Sequence, residues 1–393
     1  MADTNTHEIS TIPDRSGPLC GVRALELGGM GPAPFGGMTL AGMGAEVIRV
    51  ERPGGLGIFP GAPTDDVLNR DKQIVCLDLK HPDAVAAVLD LVARCDVLLE
   101  GSRPGVTERL GLGPEPCWKR NPALVYGRMT GWGQDGPLAA LAGHDLTYIA
   151  LTGALHAIGD AEGPPQVPLN LVGDFGGGGA YLVMGVLAAL LEARASGRGQ
   201  VVDAAIVDGV AHLLAGTHGM VNTGTWQDMR GINMLDGGAP YYAVYRTADD
   251  KYMAVGAIEP KFYAQLLTGL EVDKLDADEQ QNRASWPATR RRIAAAFASR
   301  TRDEWVKVFD GTDACVAPVL SLREAAEHDH MRQRGSVRVE DGFIEPGVAP
   351  RFSAHRPHQP SRPHRPGQDT RAVLERLGLD AEHLIASGAA HCG

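Results

Sequence analysis

Two side chains that could transfer protons lie in one glycine-rich stretch, residues 143–176. His144 stands in Gly-His-Asp, and Asp174 stands in Gly-Asp-Phe-Gly. Glycines beside each residue would let the backbone come close to a ligand. An imidazole and a carboxylate that meet in one pocket form a proton-transfer pair. Such a pair could remove a proton from one face of a carbon and return it to the other face.

Each of these residues also has an ordinary structural interpretation. A single histidine is more often structural than catalytic. Asp174 precedes an apolar, helix-forming run and could cap that helix, a contribution of about 1 kcal/mol. The helix dipole would lower the pKa of a capping carboxyl, whereas burial against Phe175 would raise it. These alternatives stay open at the level of the residues alone.

Three arginines follow predicted strands, as a phosphate site would require. Arg52 follows one strand, and Arg103 and Arg109 follow another. Ligands of a doubly wound sheet bind beyond the carboxyl ends of its strands, and arginine donates forked hydrogen bonds to phosphate. The alternative for each arginine is exposure to solvent or an ion pair with a neighbouring glutamate.

The elements that must position these residues alternate between strand and helix. Apolar runs predict the strands Val22–Leu27, Glu46–Val50, Gln73–Leu79, Asp96–Glu100, Pro122–Tyr126 and Val201–Ile206, and helical spacing predicts helices at Ala84–Arg94 and Gly177–Arg194. Strands separated by helices indicate parallel βαβ units. The predicted fold class is therefore α/β, with a Rossmann-like, doubly wound parallel sheet.

The second half of the chain predicts a smaller α+β domain. A hairpin is expected at Pro240–Arg246 and Lys251–Ala257, followed by helices at Pro287–Ala298 and Thr301–Phe309, the latter with a capping box. The predicted organisation is a disordered tail (1–17), a large domain (18–205), a linker (206–225), a small domain (226–332) and an extended connector that leads into a C-terminal segment (333–393).

Composition and motifs exclude several function classes. A net charge of −11 argues against a general nucleic-acid binder. The six cysteines form no C-x-x-C pair and suggest no metal site. The glycine clusters do not match the dinucleotide fingerprint, so a nicotinamide cofactor is not expected. The apolar stretch Tyr181–Leu191 is too short for a membrane span. A Gly- and Ala-rich composition suggests a bacterial, cytoplasmic protein.

Longer segments resemble the class III CoA-transferase family of the CaiB/BaiF type, and within it the α-methylacyl-CoA racemases. The resemblance runs from Gly21 to about Leu379. Its most specific segments are Glu100–Gly113, Arg128–Pro137, Ala142–Asp145, Pro168–Gly178, Gly199–Ala204, Ile258–Pro260 and Asp313–Pro318. The Lys72-Gln73 pair departs from the more basic residues that relatives often have there.

The resemblance implies a CoA-binding large domain, a linker, a small domain, a return of the C-terminus to the large domain, and an interlocked homodimer. His144 and Asp174 match the two catalytic bases, and Glu259 matches an acidic residue that completes the site from the partner subunit. The implied ligand-binding residues are Arg52, Cys76, Leu77, Asp78, Arg103, Arg109, Gly143, Asp145, Leu146 and Thr147. CoA would be part of the substrate, and no metal or redox cofactor is implied.

The resemblance predicts 1,1-proton transfer at the α-carbon of a 2-methylacyl-CoA thioester. Backbone N–H groups near Asp174–Gly177 are the expected donors to the enolate oxygen. Two alternatives stay open: a CoA-transferase with Asp174 as its nucleophile, and a non-catalytic acyl-CoA-binding protein. The acyl chain also stays open between a branched fatty acid, a sterol side chain and an arylpropionate.

Overall fold

The computed structural model describes residues 16–55, 61–272, 279–356 and 358–393. The predicted disordered tail therefore lies outside the described residues, apart from residues 16 and 17. The chain divides into two compact units. The first unit contains the residues up to Ile149, Leu169–Leu213 and Glu345–Gly393, and the second contains Ala150–Pro168 and Leu214–Ile344.

The described strands are numbered in chain order. They are β1 (Arg23–Leu27), β2 (Glu46–Glu51), β3 (Lys72–Leu77), β4 (Val97–Glu100), β5 (Val125–Thr130), β6 (Val201–Ala205), β7 (Tyr242–Arg246), β8 (Tyr252–Gly256), β9 (Val316–Pro318), β10 (Val337–Glu340), β11 (Phe343–Pro346) and β12 (Ala390–His391).

The described α-helices are numbered in the same way. They are α1 (Pro32–Gly42), α2 (Pro82–Val92), α3 (Val106–Arg109), α4 (Pro114–Arg120), α5 (Asp145–Leu151), α6 (Ala154–Ala157), α7 (Ala180–Ser196), α8 (Ile206–Leu213), α9 (Ala215–Asn222), α10 (Pro260–Gly269), α11 (Trp286–Phe297), α12 (Arg302–Phe309), α13 (Leu322–Glu327), α14 (Asp329–Arg334), α15 (Thr370–Arg376) and α16 (Ala381–Ala386). A π-helix, Leu171–Gly179, runs directly into α7. Short 3₁₀-helices span Pro63–Asp65 and Val67–Asn69.

The first unit is built on a seven-stranded sheet in the order β12-β3-β2-β1-β4-β5-β6. Neighbouring strands are parallel except at β12, which pairs with β3 in the antiparallel sense. The predicted α/β class with a doubly wound parallel sheet is thus confirmed. Strand order reverses between β1 and β4, and this is where open α/β sheets bind their ligands.

The core of the first unit lies on both faces of the sheet. Apolar residues of β1–β5 pack against α2, α15 and α16 on one face, while α1, the π-helix and α7 pack together and α7 contacts β5. The strands read as continuous apolar runs because parallel strands are buried on both faces. Each of the strands β1–β5 nevertheless carries a buried charge. These charged residues are Glu26, Arg49, Glu51, Lys72, Glu100 and Arg128.

The buried charges of β1–β3 form a network that holds the start of α1. Lys72 Nζ lies 2.7 Å from Glu26 Oε2, and the Arg49 guanidinium pairs with both Glu26 and Glu51. Lys72 also donates to the Pro34 carbonyl at 2.9 Å, and Arg49 donates to the Gly29 carbonyl at 2.8 Å. Lys72 is fully buried in this network, and burial lowers the pKa of its ammonium to about 8. Its side chain therefore serves the fold rather than a ligand.

The long helix of the first unit begins earlier than the sequence predicts. Helical backbone starts at Leu171 rather than Gly177, because the glycine-rich stretch forms a π-helix before α7. The combined helix, Leu171–Ser196, is long and apolar enough to cross a membrane by length and composition. Leu182, Val186 and Leu190 are buried within the unit, whereas Met184 and Leu191 of the same helix are exposed.

The second unit contains the antiparallel sheet β7-β8-β9. Aromatic residues of β7, α10, α11 and α12 form its core. The predicted hairpin is confirmed in β7 and β8. The Thr301–Glu304 capping box at the start of α12 is confirmed as well, since the Thr301 side chain accepts from the Glu304 N–H and Glu304 accepts from the Thr301 N–H.

Candidate active site

A cavity of about 510 Å³ opens in the first unit, at the carboxyl edge of the sheet. Its walls come from segments that follow β1, β4 and β5, together with the loop before α5 and the π-helix. The lining residues are Gly29–Pro32, Gly101–Pro104, Met129–Trp132, Ala139, Leu141–His144, Tyr148, Asn170, Asp174 and Ile206. Both predicted bases, His144 and Asp174, line this cavity.

His144 lies in an exposed loop immediately before α5. Its N–H donates to Thr147 Oγ1 at 3.0 Å, and the Thr147 hydroxyl donates to the His144 carbonyl at 2.7 Å. The carbonyl also accepts the N–H groups of Thr147 and Tyr148. These bonds fix the backbone of His144 while its imidazole stays exposed to solvent.

Asp174 lies inside the π-helix and is half-buried. The Asn170 amide donates to Asp174 Oδ2 at 3.3 Å. Burial raises the pKa of the Asp174 carboxyl, and the neighbouring charge of Asp145 raises it further, against lowering by the Asn170 hydrogen bond and by His144. Asp174 therefore does not cap a helix. The sequence left open whether the pKa of its carboxyl is lowered or raised, and in the structure it is raised.

Asp145 is the immediate neighbour of His144, yet its side chain is only 8% exposed. Its Oδ1 accepts the backbone N–H of Asp174 at 2.7 Å. A Cβ atom on Gly173 would lie 2.2 Å from this oxygen, so the position needs glycine. The ligand contact predicted for Asp145 stays a prediction, and its buried carboxylate binds the protein backbone.

Two of the predicted donors to the enolate oxygen already have partners within the protein. The N–H of Asp174 is bonded to Asp145, and the N–H of Phe175 donates to the Asn170 carbonyl at 3.2 Å. Neither group is free to bind a substrate oxygen. The start of α1 does line the cavity through Gly31 and Pro32, and a helix N-terminus favours developing negative charge.

The three predicted phosphate-binding arginines are exposed. Arg103 lines the cavity, while Arg52 and Arg109 lie outside its lining. The Arg52 guanidinium donates to the Gly55 carbonyl at 2.8 Å. Within the described residues none of the three forms an ion pair.

The glutamates beside these arginines are paired elsewhere. Glu51 binds Arg49, while Glu100 and Glu108 bind Arg128. This arrangement leaves the charge of the three exposed arginines available to an anion.

The other predicted ligand-binding residues fall into two groups. Gly143 lines the cavity, and Leu146 and Thr147 are exposed on α5. Cys76 and Leu77 are buried, and Asp78 is partly exposed. Their contact with CoA stays a prediction.

Glu259 lies in the second unit, at the N-terminus of α10, and is exposed. Its side chain makes no capping hydrogen bond to the helix. Gln280 donates to the carbonyls of Ala257 at 3.0 Å and Ile258 at 2.8 Å, which fixes the turn that presents Glu259. The carboxylate is therefore presented outward, and its predicted catalytic role stays untested.

Trp132 and Asn170, for which the sequence indicated no role, help to complete the cavity wall. Trp132 and Tyr148 meet edge-to-face with ring centroids 4.7 Å apart, and Asn170 touches the Asp174 carboxylate. The spacing of Asn170 and Asp174, four residues apart in a helical segment, was the available signal for that pair. Within the described residues, no group of three or more His, Cys, Asp or Glu side chains could hold a metal ion.

A protein-family model matches almost the whole chain. CoA-transferase family III matches residues 19–370, and the chain belongs to that family. Among its relatives, α-methylacyl-CoA racemase from Mus musculus is 45% identical over 371 residues, 93% of this chain and 95% of the relative. The human α-methylacyl-CoA racemase is 43% identical over the same shares of each chain.

More distant relatives carry other activities in their names. Succinyl-CoA:glutarate CoA-transferase from Mus musculus is 29% identical, over 95% of this chain and 91% of that protein. Among solved structures, a CaiB/BaiF family protein from Brucella suis gives a TM-score of 0.78 at 23% identity, over 92% of this chain and all of that one. This likeness supports the fold of the chain.

Proposed function

We propose that the protein interconverts the (R)- and (S)-epimers of 2-methylacyl-CoA thioesters by two-base proton transfer. The observation that carries this proposal is the placement of His144 and Asp174 on the wall of one cavity. Identities of 43–45% with two α-methylacyl-CoA racemases support the choice of reaction and substrate class.

In this mechanism His144 takes the α-proton from one epimer and Asp174 takes it from the other. After each transfer the second base, in its acid form, delivers a proton to the opposite face of the enolate. The raised pKa of the Asp174 carboxyl suits both roles, because a catalytic group works best when its pKa lies near the working pH. Arg103 on the cavity wall would attract the anionic CoA moiety.

We further propose a homodimer in which Glu259 of the partner subunit completes each site. The first unit exposes apolar side chains that a solvent-facing surface would not need. These are Leu169, Leu171, Met184, Leu191 and Leu213, each more than half exposed. The proposed dimer would bury such side chains, since exposed apolar patches commonly mark protein interfaces. The protein is proposed to act in the cytoplasm on branched acyl-CoA metabolites.

Asp174 also supports one competing reaction. In a CoA-transferase this carboxylate would attack the thioester and form an acyl-enzyme anhydride with release of the CoA thiolate. The 29% identity with a succinyl-CoA:glutarate CoA-transferase keeps this alternative in view. The non-catalytic alternative, an acyl-CoA-binding protein, gives the two proposed bases no role.

Proton exchange in D₂O separates these possibilities. The protein is incubated with (R)- and, separately, (S)-2-methylacyl-CoA, and loss of the α-proton is followed by NMR together with the epimer ratio. A racemase exchanges the proton from both epimers and converges on one mixture. Exchange from neither epimer, with a covalent acyl or CoA adduct trapped on Asp174, would replace the racemase with the transferase. Tight acyl-CoA binding with neither result would leave the binding protein.

A further inference from the structure

We propose that Asp145 is a positioning residue of this site, whose buried carboxylate fixes the backbone of Asp174 and couples the two bases to each other. The inference rests on the proposed function, since it assigns a task to a residue that binds one of the two proposed bases. Asp145 itself does not line the cavity.

The first argument is geometric. Asp145 follows His144 directly in the chain, and its Oδ1 accepts the N–H of Asp174 at 2.7 Å. One carboxylate thus connects the loop that carries one base to the helix that carries the other. The neighbouring Gly173 has no Cβ, which would lie 2.2 Å from Asp145 Oδ1. The glycine at position 173 therefore leaves the space that this hydrogen bond needs.

The second argument is energetic. Asp145 is 8% exposed, and within the part of the chain that the structure describes it has no ion-pair partner. Its Oδ2 is buried without a hydrogen-bond partner in the same set of residues. Burying a carboxylate with one oxygen unsatisfied is costly to stability. A costly arrangement beside two proposed bases is better explained by function than by stability.

The third argument is electrostatic. The charge of Asp145 opposes ionisation of Asp174 and contributes to the raised pKa of that carboxyl. His144 acts in the opposite direction, and Tyr148 and Arg103 are the other titratable groups that line the cavity. The start of α1 presents Gly31, without charge, to the Asp174 carboxylate. Asp145 is thus the negative group that keeps Asp174 more basic.

The test compares Asp145→Asn and Asp145→Ala with the wild-type enzyme, using α-proton exchange from each epimer. Asparagine keeps an oxygen acceptor for the Asp174 N–H but removes the charge. We expect KM to be unchanged. In the direction where Asp174 is the base, the acid limb of the pH profile should move roughly one pH unit lower, because a like charge is lost. Alanine removes the acceptor as well, and kcat should fall about 100-fold in both directions through misplacement of the base.

Asp369→Asn is the matched control. Asp369 is also buried and also accepts a backbone N–H at 2.7 Å, from Ile74, but it lies outside the cavity. The loss of stability should be at least as large, because Asp369 also pairs with His364 Nδ1 at 2.7 Å. The pH profile of exchange should stay that of the wild type. Wild-type exchange is measured first, so failure of the proposed function would be seen before any variant is compared.

Three outcomes would overturn the inference in an active enzyme. They are wild-type kcat in Asp145→Ala, a rise in KM alone, as expected of a CoA contact, and an acid limb in Asp145→Asn that coincides with the wild type. If Asp145→Ala does not fold, the near-isosteric Asp145→Asn decides the question by its pH profile.

Discussion

The two proposed bases stand in unlike surroundings. His144 is exposed on a loop, whereas Asp174 is half-buried inside a helix and hydrogen-bonded by Asn170. Proton transfer between two faces of a carbon needs two such groups, one on each side. Their different settings mean that loss of either base should not affect both directions of the reaction in the same way.

We expect His144→Gln and Asp174→Asn to give opposite patterns of deuterium incorporation. Each variant should lose proton abstraction from one epimer by roughly 10²–10⁴-fold, the usual contribution of a positioned base. Residual washout from the other epimer should persist, because the remaining base is intact. Single-turnover NMR with each pure epimer measures the pattern. Equal loss from both epimers in both variants would contradict the two-base mechanism.

A second prediction at the scale of single residues concerns Gly173. In Gly173→Ala the new methyl group must displace the Asp145 carboxylate, since the two would be 2.2 Å apart. Overpacking of this kind costs about 1–3 kcal/mol, and exchange should fall more than the stability change explains. Thermal unfolding and exchange rates are compared with Gly216→Ala, where a Cβ meets nothing within 4 Å. Wild-type exchange in a stable Gly173→Ala protein would speak against the close fit described here.

At the scale of elements, the carboxyl end of β4 holds the loop that forms one wall of the cavity. Glu100 is the last residue of β4 and is buried, and its Oε2 accepts the Ser102 N–H at 2.7 Å. Ser102 and Arg103 both line the cavity. Burial raises the pKa of the Glu100 carboxyl to about 7, against the Ser102 hydrogen bond and the charge of Arg128.

The raised pKa of Glu100 predicts that the free energy of unfolding depends on pH. The pKa of the Glu100 carboxyl is 4.5 in the unfolded state and about 7 in the folded state. Glu100 therefore makes its full contribution to the free energy of unfolding below pH 4.5. That contribution is lost as the pH rises through about 7, a difference of about 3 kcal/mol. Glu100→Gln keeps an acceptor for Ser102 and cannot ionise, so its melting temperature should fall less than that of the wild type between pH 5 and 8. Calorimetry at several pH values measures this, and parallel curves for both proteins would show that Glu100 ionises normally.

The sequence predicted regular elements well and missed two buried features. Strands β1–β6 were anticipated because parallel strands read as apolar runs. The π-helix was not, because a glycine-rich stretch has no apolar period from which its start could be read. The burial of Asp145 was also missed, since its partner is a backbone N–H distant in sequence. Charges inside apolar strands, Glu26 and Arg49, were the visible signal for the network beneath α1.

At the scale of the whole molecule, the proposed homodimer places Asp174 and Glu259 of each site on different subunits. A heterodimer built from Asp174→Asn and Glu259→Gln subunits would then have one site with both changes and one site with neither. We expect such a heterodimer, co-expressed with two tags and purified by both, to recover about half of the wild-type activity, since one of its two equivalent sites is intact. Each homodimeric variant serves as control. An inactive heterodimer would show that the two residues act within one subunit, and an active Glu259→Gln homodimer would show that Glu259 is dispensable to the reaction.

The pairing of β12 with β3 has a consequence for how the protein is made. The outer edge of β3 is covered by Ala390 and His391, and the N–H groups of Ile74 and Cys76 donate to Asp369 and Thr370 at the start of α15. During synthesis β3 emerges long before these residues, so the nascent sheet carries an open, apolar edge for most of translation. Unpaired edges of this kind recruit other chains. Yield of soluble protein should therefore depend on residues far from the cavity, and a bulky fusion placed after His391 should reduce it more than the same fusion at the opposite terminus.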